Sequence, residues 1–231
     1  MKQLPALVCL LLLLAISHKA VAQDEPEYKL ELGANAGLVA YEGDFNGNLL
    51  KGMRPMGGLT AKYKVNPRMA WAALLSVGQL KGSSDGVDTY YPASATQPVS
   101  FTSTLTDFSL RFEYNFWAFG TGQEYHGAKP LSPFLTIGVG LSFAKPKDGE
   151  TAVGAQLPVG VGLKYKVAPR LNLAAEWVMH FTGSDKLDGV ADPYGIKSDG
   201  LFKNTDCYSV LALSLTYDLW AKCKTCHNDR D

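Results

Sequence analysis

Between residues 28 and 219 apolar and polar side chains take turns, one by one, in segment after segment. Phe108, Leu110, Phe112, Tyr114 and Phe116 alternate with Asp107, Ser109, Arg111, Glu113 and Asn115. Leu135, Ile137, Val139, Leu141 and Phe143 alternate with Thr136, Gly138, Gly140, Ser142 and Ala144. An earlier segment sets Leu30, Leu32, Ala34, Ala36 and Leu38 against Lys29, Glu31, Gly33, Asn35 and Gly37, and the last sets Leu211, Leu213, Leu215, Tyr217 and Leu219 against Tyr208, Val210, Ala212, Ser214 and Thr216. Successive side chains of a strand point to opposite faces, so each segment reads as a strand with one apolar and one less apolar face.

The first residues decide the solvent. Lys2 precedes an apolar run at 4–16, and Ala20-Val21-Ala22 places small residues where a signal peptidase cuts. The run falls short of the roughly 20 residues that span a bilayer, so 1–22 is expected to be a secretory signal that takes Cys9 with it. No later stretch is apolar enough for a membrane helix, and a bilayer can then be crossed only by a closed barrel. The 22 basic and 22 acidic side chains cancel, which gives no footprint for nucleic acid. The expected organisation is a signal peptide at 1–22, an outer-membrane barrel at 23–220 and a periplasmic tail at 221–231.

Lys-Tyr-Lys-Val-x-Pro-Arg occurs twice, at 62–68 and 164–170. On either side the alternation continues: Leu59, Ala61, Tyr63 and Val65 then Trp71, Ala73, Leu75 and Val77 in the first copy, Val161, Leu163, Tyr165 and Val167 then Leu173, Ala175, Trp177, Met179 and Phe181 in the second. Each copy reads as a tight hairpin, because proline presets one turn angle and cannot donate to a ladder. Tyr63 and Tyr165 are expected at headgroup level.

Counting gives an all-β, eight-stranded antiparallel transmembrane barrel, an up-and-down meander with strands of roughly 9 to 14 residues. Eight strands leave an interior that side chains fill. The inward set includes Lys29 and a charge network of Glu31, Lys62, Lys64, Arg111, Glu113, Lys164, Lys166, Glu176 and His180. Facing lipid, each cation would cost about 2 to 4 kcal/mol near the midplane; inside, opposite signs can pair.

Connection length sets the orientation. Those at 66–68 and 168–170 are very short, whereas 41–55, 83–100, 147–155 and 184–206 are long, and outer-membrane barrels keep short turns in the periplasm. Both termini then fall on the periplasmic side. The long connection at 118–132 breaks the pattern there, and makes Arg68, Glu124, Tyr125, His126, Lys129 and Arg170 candidate periplasmic contacts, although a tolerated loop explains it equally well.

Little else suggests chemistry. Cys223, Cys226 and His227 form C-x-x-C-H, but too little chain follows to wrap a haem, so a disulfide between Cys223 and Cys226, or a metal contact, is the better reading. Cys207 is left to pair with a partner or stay buried. His180 and Glu176 invite a lipid-hydrolase reading, but no serine is placed beside His180 by sequence. Asp44, Asp185, Asp188 and Asp192 lack calcium-loop spacing and read as solvated loop acids. No enzyme activity, cofactor, metal site or small-molecule substrate is expected.

The stretch ELGANAGLVAYEGDFN, the Asn66-Pro67-Arg68 turn, DKLDGVADPYG and KNTDCYSVLALSLTYDL together resemble the PorG-type outer-membrane barrel of type IX secretion in Bacteroidota. Cys207 departs from that pattern, where an aromatic is more usual before Tyr208. The resemblance implies a structural role in the secretion and gliding machinery, anchoring a periplasmic ring of PorK- and PorN-type proteins to the outer membrane. The alternative is a general small barrel of the OmpA or OmpW kind with an envelope-stabilising or small-molecule role.

Overall fold

Eight strands run in chain order: β1 (Tyr28–Glu42), β2 (Arg54–Asn66), β3 (Met69–Ser83), β4 (Ser100–Asn115), β5 (Leu131–Pro146), β6 (Ala152–Ala168), β7 (Leu171–Thr182) and β8 (Cys207–Ala221). Each pairs antiparallel with the next, and β8 returns to β1 in register from Tyr28↔Ala221 to Glu42↔Cys207, which closes the barrel. Closure leaves no edge of unpaired backbone groups. The structure is a computed structural model that describes residues 26–42, 52–83, 100–120, 128–147, 150–184, 187 and 206–221. The leader at 1–22, the loop acids Asp44, Asp185, Asp188 and Asp192, the candidate contacts Glu124, Tyr125 and His126, and the tail residues Cys223, Cys226 and His227 lie outside the described residues.

The strands are longer than the alternation suggested, from 12 residues in β7 to 17 in β6. Backbone pairing continues past the last clear apolar/polar step, so polar ends such as Ser100 and Lys145 still belong to the ladder. For the same reason the connection expected at 147–155 shrinks, because β6 already begins at Ala152. At the other limit β4 ends at Asn115, one residue before Phe116, where the chain turns to meet Arg68.

The two repeats fold alike. Both hairpins turn through a Pro-Arg pair, and both shift register one step before it, between Lys64 and Asn66 in one and between Lys166 and Ala168 in the other. These bulges add local twist at the base of each hairpin. Asn66 caps its own turn by accepting from Arg68 N at 2.8 Å, a contact that Ala168 has no side chain to make. Since β2–β3 and β6–β7 lie four strands apart in a ring of eight, the copies face each other across the lumen.

The outward face is apolar. Leu59 is 66% exposed and Val139 63%, and Leu75, Phe108, Leu135, Ile137, Leu213 and Leu215 continue the band around the wall. Soluble monomers rarely expose contiguous apolar patches beyond a few hundred Å², so this wall is built for hydrocarbon. Tyr63, Trp71, Tyr165 and Tyr217 are exposed near the Pro-Arg turns, as an aromatic belt at one interface requires. The end of the barrel with these turns and both strand termini is called the turn end below, and the opposite one the long-loop end.

Candidate functional site

The inward positions make the distinctive part of the molecule. Their large side chains need room, and inward glycines supply it. At Gly33 an added Cβ would stand 2.0 Å from the carbonyl oxygen of Leu215, so β1 and β8 approach there only because the side chain is missing. At Gly162 it would meet the Phe134 ring at 2.3 Å. The Phe134 ring occupies that gap, and Lys62 and Lys164 place their ammonium groups 5.6 and 5.4 Å from its ring centre.

The ion pairs join Lys62, Lys64, Arg111, Lys164 and Lys166 to Glu31, Glu113, Glu176 and Asp218, and His180 lies beside Asp107. Nearest the hairpin turns, Asp218 on β8 takes Lys64 at 2.7 Å on one oxygen and Lys166 at 2.6 Å on the other. Asn172 donates to the same carboxylate at 3.0 Å, and Lys64 also reaches Glu31 at 2.8 Å. One step inward, Glu113 on β4 takes Lys62 at 2.8 Å and Lys164 on its other oxygen. Equivalent lysines of the two repeats therefore converge on a shared carboxylate, twice. Because β2, β4, β6 and β8 alternate around the ring, the result is a brace that ties four non-adjacent strands together.

Arg111 pairs with Glu176 at 3.3 Å and donates through Nε to Ser109 at 3.1 Å. Further toward the long-loop end, Tyr208 donates to Asp107 at 2.6 Å, Gln156 bonds Asp107 as well, and His180 Nδ1 lies 2.5 Å from Gln156 Oε1. His180 stacks on Tyr208 with ring centres 4.4 Å apart. Ser142 Oγ meets Tyr208 rather than the imidazole, and His180 Nε2 has no hydrogen-bond partner. The space between Lys62, Arg111, Glu113, Thr136 and Glu176 has no room for a water-sized sphere.

Both ends of this polar column are stoppered. At the long-loop end Val39, Tyr41, Met56, Leu80, Leu105 and Leu187 form an apolar cluster, with Asp206 accepting from Tyr41 at 2.5 Å and from the Leu187 amide at 2.9 Å. At the turn end the β4–β5 connection folds back. Phe119 N donates to Pro67 O at 2.9 Å, Phe119 bridges to Lys129, and its buried ring sits 5.4 and 5.7 Å from Lys164 and Lys166. The described parts of this long connection are thus a stopper rather than a free arm. Arg68 donates to Phe116 O at 2.6 Å, Lys129 lies 4.7 Å above Trp117, and Arg170 donates to the Tyr28 hydroxyl at 3.3 Å, all three on the exposed rim.

All nine residues of the sequence-derived network, Glu31 to His180, occupy the lumen, and the structure adds partners that the sequence reading left out. Asp107 stood in the alternation and Asp218 lay one step beyond the last polar residue named there, yet nothing local marks either as a hub. Phe119 was visible only as an aromatic between small residues in AFGTG.

Among solved structures, the chain is similar to Neisserial surface protein A, at 16% identity and a TM-score of 0.52 over 82% of this chain and 97% of that one. It also matches Ail of Yersinia pestis at 15% identity and a TM-score of 0.43, over 84% and 99%, and OprG of Pseudomonas aeruginosa at 10% and 0.43, over 85% and 97%. The likeness to the neisserial protein is one of fold, the eight-stranded barrel of outer-membrane proteins. No curated protein sequence matches. The profile of a family described as "Domain of unknown function (DUF6089)" covers residues 5–228, the alternating strands, both repeats and the lumen charges included, and the chain belongs to that family.

Proposed function

We propose that this protein is a non-enzymatic, non-conducting outer-membrane anchor: a barrel whose task is to hold a position rather than to pass a solute. The observation that carries this reading is the paired-charge brace, which fills the lumen where a pore would need water. The stoppers at both ends support it. Short turns and both strand termini at one end fit an orientation with that end in the periplasm and the long connections outside.

The sequence resemblance to PorG-type barrels gives the anchor a cargo: a periplasmic ring of PorK- and PorN-type proteins in a type IX secretion and gliding apparatus. The turn-end rim, with Arg68, Lys129 and Arg170 exposed on an ordered platform, is the surface proposed for that contact, together with the tail. The test is affinity purification of a tagged chain after detergent extraction, paired with a secretion assay in a deletion strain. Ring proteins in the eluate and loss of secretion are expected; an empty eluate with intact secretion defeats the assignment.

The fold-level likeness to the neisserial surface protein favours a second reading, a general small barrel of the OmpA or OmpW kind. That reading expects intact secretion in the deletion strain and a weakened envelope, measured as increased sensitivity to detergent.

A further inference from the structure

The outward wall of β3, β4 and β5 changes character at one rung. On β3, β4 and β5 the lipid-facing residues stay apolar up to Val77 and Phe143, which Thr106 joins in register. At the next outward rung Gln79 pairs with Thr104 and Thr104 with Lys145. One rung higher Lys81 pairs with Thr102, and Lys147 follows directly after Pro146, the last residue of β5. Paired residues of adjacent strands point the same way, so Lys81 and Lys145 share one outward patch with the two threonines and Gln79, and exposed Lys147 follows two residues after Lys145.

Lys145 and Lys147 are exposed and Lys81 partly so. None of the three has an ion-pair or aromatic partner among the described residues, in contrast to the turn end, where Lys129 and Arg170 are spent on Trp117 and Tyr28. On the neighbouring β6, Val153 pairs with Phe143, one rung below Lys145, and continues the apolar wall there. The one described acid of the neighbouring connection, Glu150, is exposed and makes no ion pair with them.

Three unengaged ammonium groups with hydroxyl and amide donors between them, directly above an apolar wall, match a phosphorylated headgroup whose acyl chains lie against that wall. We propose that this patch on β3–β5 binds the phosphates of an anionic glycolipid of the outer leaflet, of the lipid A class, through Lys81, Lys145 and Lys147. The leaflet follows from the orientation proposed above, with the long-loop end outside.

The test uses the full barrel in phosphatidylcholine nanodiscs, titrated with diphosphoryl lipid A, monophosphoryl lipid A or phosphatidylglycerol and read by native mass spectrometry. Wild type is expected to retain the diphosphoryl form best and phosphatidylglycerol least. The triple variant Lys81→Gln, Lys145→Gln, Lys147→Gln should lose that retention by at least about tenfold, whereas the corresponding triple Arg variant keeps it; heat-modifiable gel mobility verifies that both are folded. Equal retention by the Gln variant, no retention by wild type, or no preference over phosphatidylglycerol each overturns the proposal. Orientation is read separately, by reacting a Lys147→Cys variant on whole cells with a membrane-impermeant maleimide and comparing it with wild type. Labelling without lipid A retention sinks the patch alone, and absence of labelling removes the orientation on which it stands.

Discussion

Lys62 and Lys164, supplied from opposite walls by the two copies of one seven-residue repeat, grip the two oxygens of a single carboxylate, Glu113, with the Lys62 contact at 2.8 Å. All three side chains are buried. Removing the shared anion leaves two buried cations without their carboxylate, while removing the whole trio takes away two cations together with one anion.

Glu113→Gln is therefore expected to destabilise the barrel by about 3 to 5 kcal/mol. Replacing Lys62, Lys164 and Glu113 together by apolar residues of similar volume removes a net charge of +1 and should cost less than Glu113→Gln alone. Unfolding in detergent, followed by the gel shift between folded and unfolded forms, reads both; a triple variant no more stable than Glu113→Gln would contradict the account.

Planar bilayers give a second measurement. Wild type should show no steady single-channel current, because the lumen is filled and Phe119 closes the turn end. Truncating Lys62, Lys164 and Glu113 to alanine, with Phe119→Ala, should open a small conductance. An open wild-type pore would show that the brace does not seal the barrel.

Gly162→Val places atoms where the Phe134 ring lies, since even a Cβ would come within 2.3 Å of it. A loss of about 1 to 3 kcal/mol is expected, and Phe134→Leu in the same chain should recover part of it. Thermal unfolding of the two variants decides.

The outer wall is tested by a charge placed on it. Val139→Arg, midway along β5 in the apolar band, should cost about 2 to 4 kcal/mol, whereas Val77→Arg, beside the rung where polar residues begin, should cost about 1 or less. Equal penalties in refolding titrations into lipid vesicles would mean that the wall does not follow the depth of a bilayer.

How much of this could be read from the sequence depends on how far each contact travels along the chain. Alternation is local, so the strands, their apolar face and the inward charges were legible from residues such as Phe108 through Asn115. The hairpins were legible because the motif repeats and proline punctuates it. Which charge pairs with which was not, because Lys64 and Asp218 are 154 positions apart and meet only once the ring closes. The stoppers escaped for a different reason. Leu187 and Phe119 lie in connections, where no periodic pattern distinguishes a side chain that folds inward from one left in water.

The brace also orders events in time. Lys166 finds its carboxylate on β8, the last strand in the sequence, so until β8 joins the ring the ion pair is missing and Asn172 on β7 offers only a neutral acceptor. Pairing β8 with β1 brings that counter-charge and the closing row of ladder bonds together, so one strand completes both the cylinder and its electrostatics.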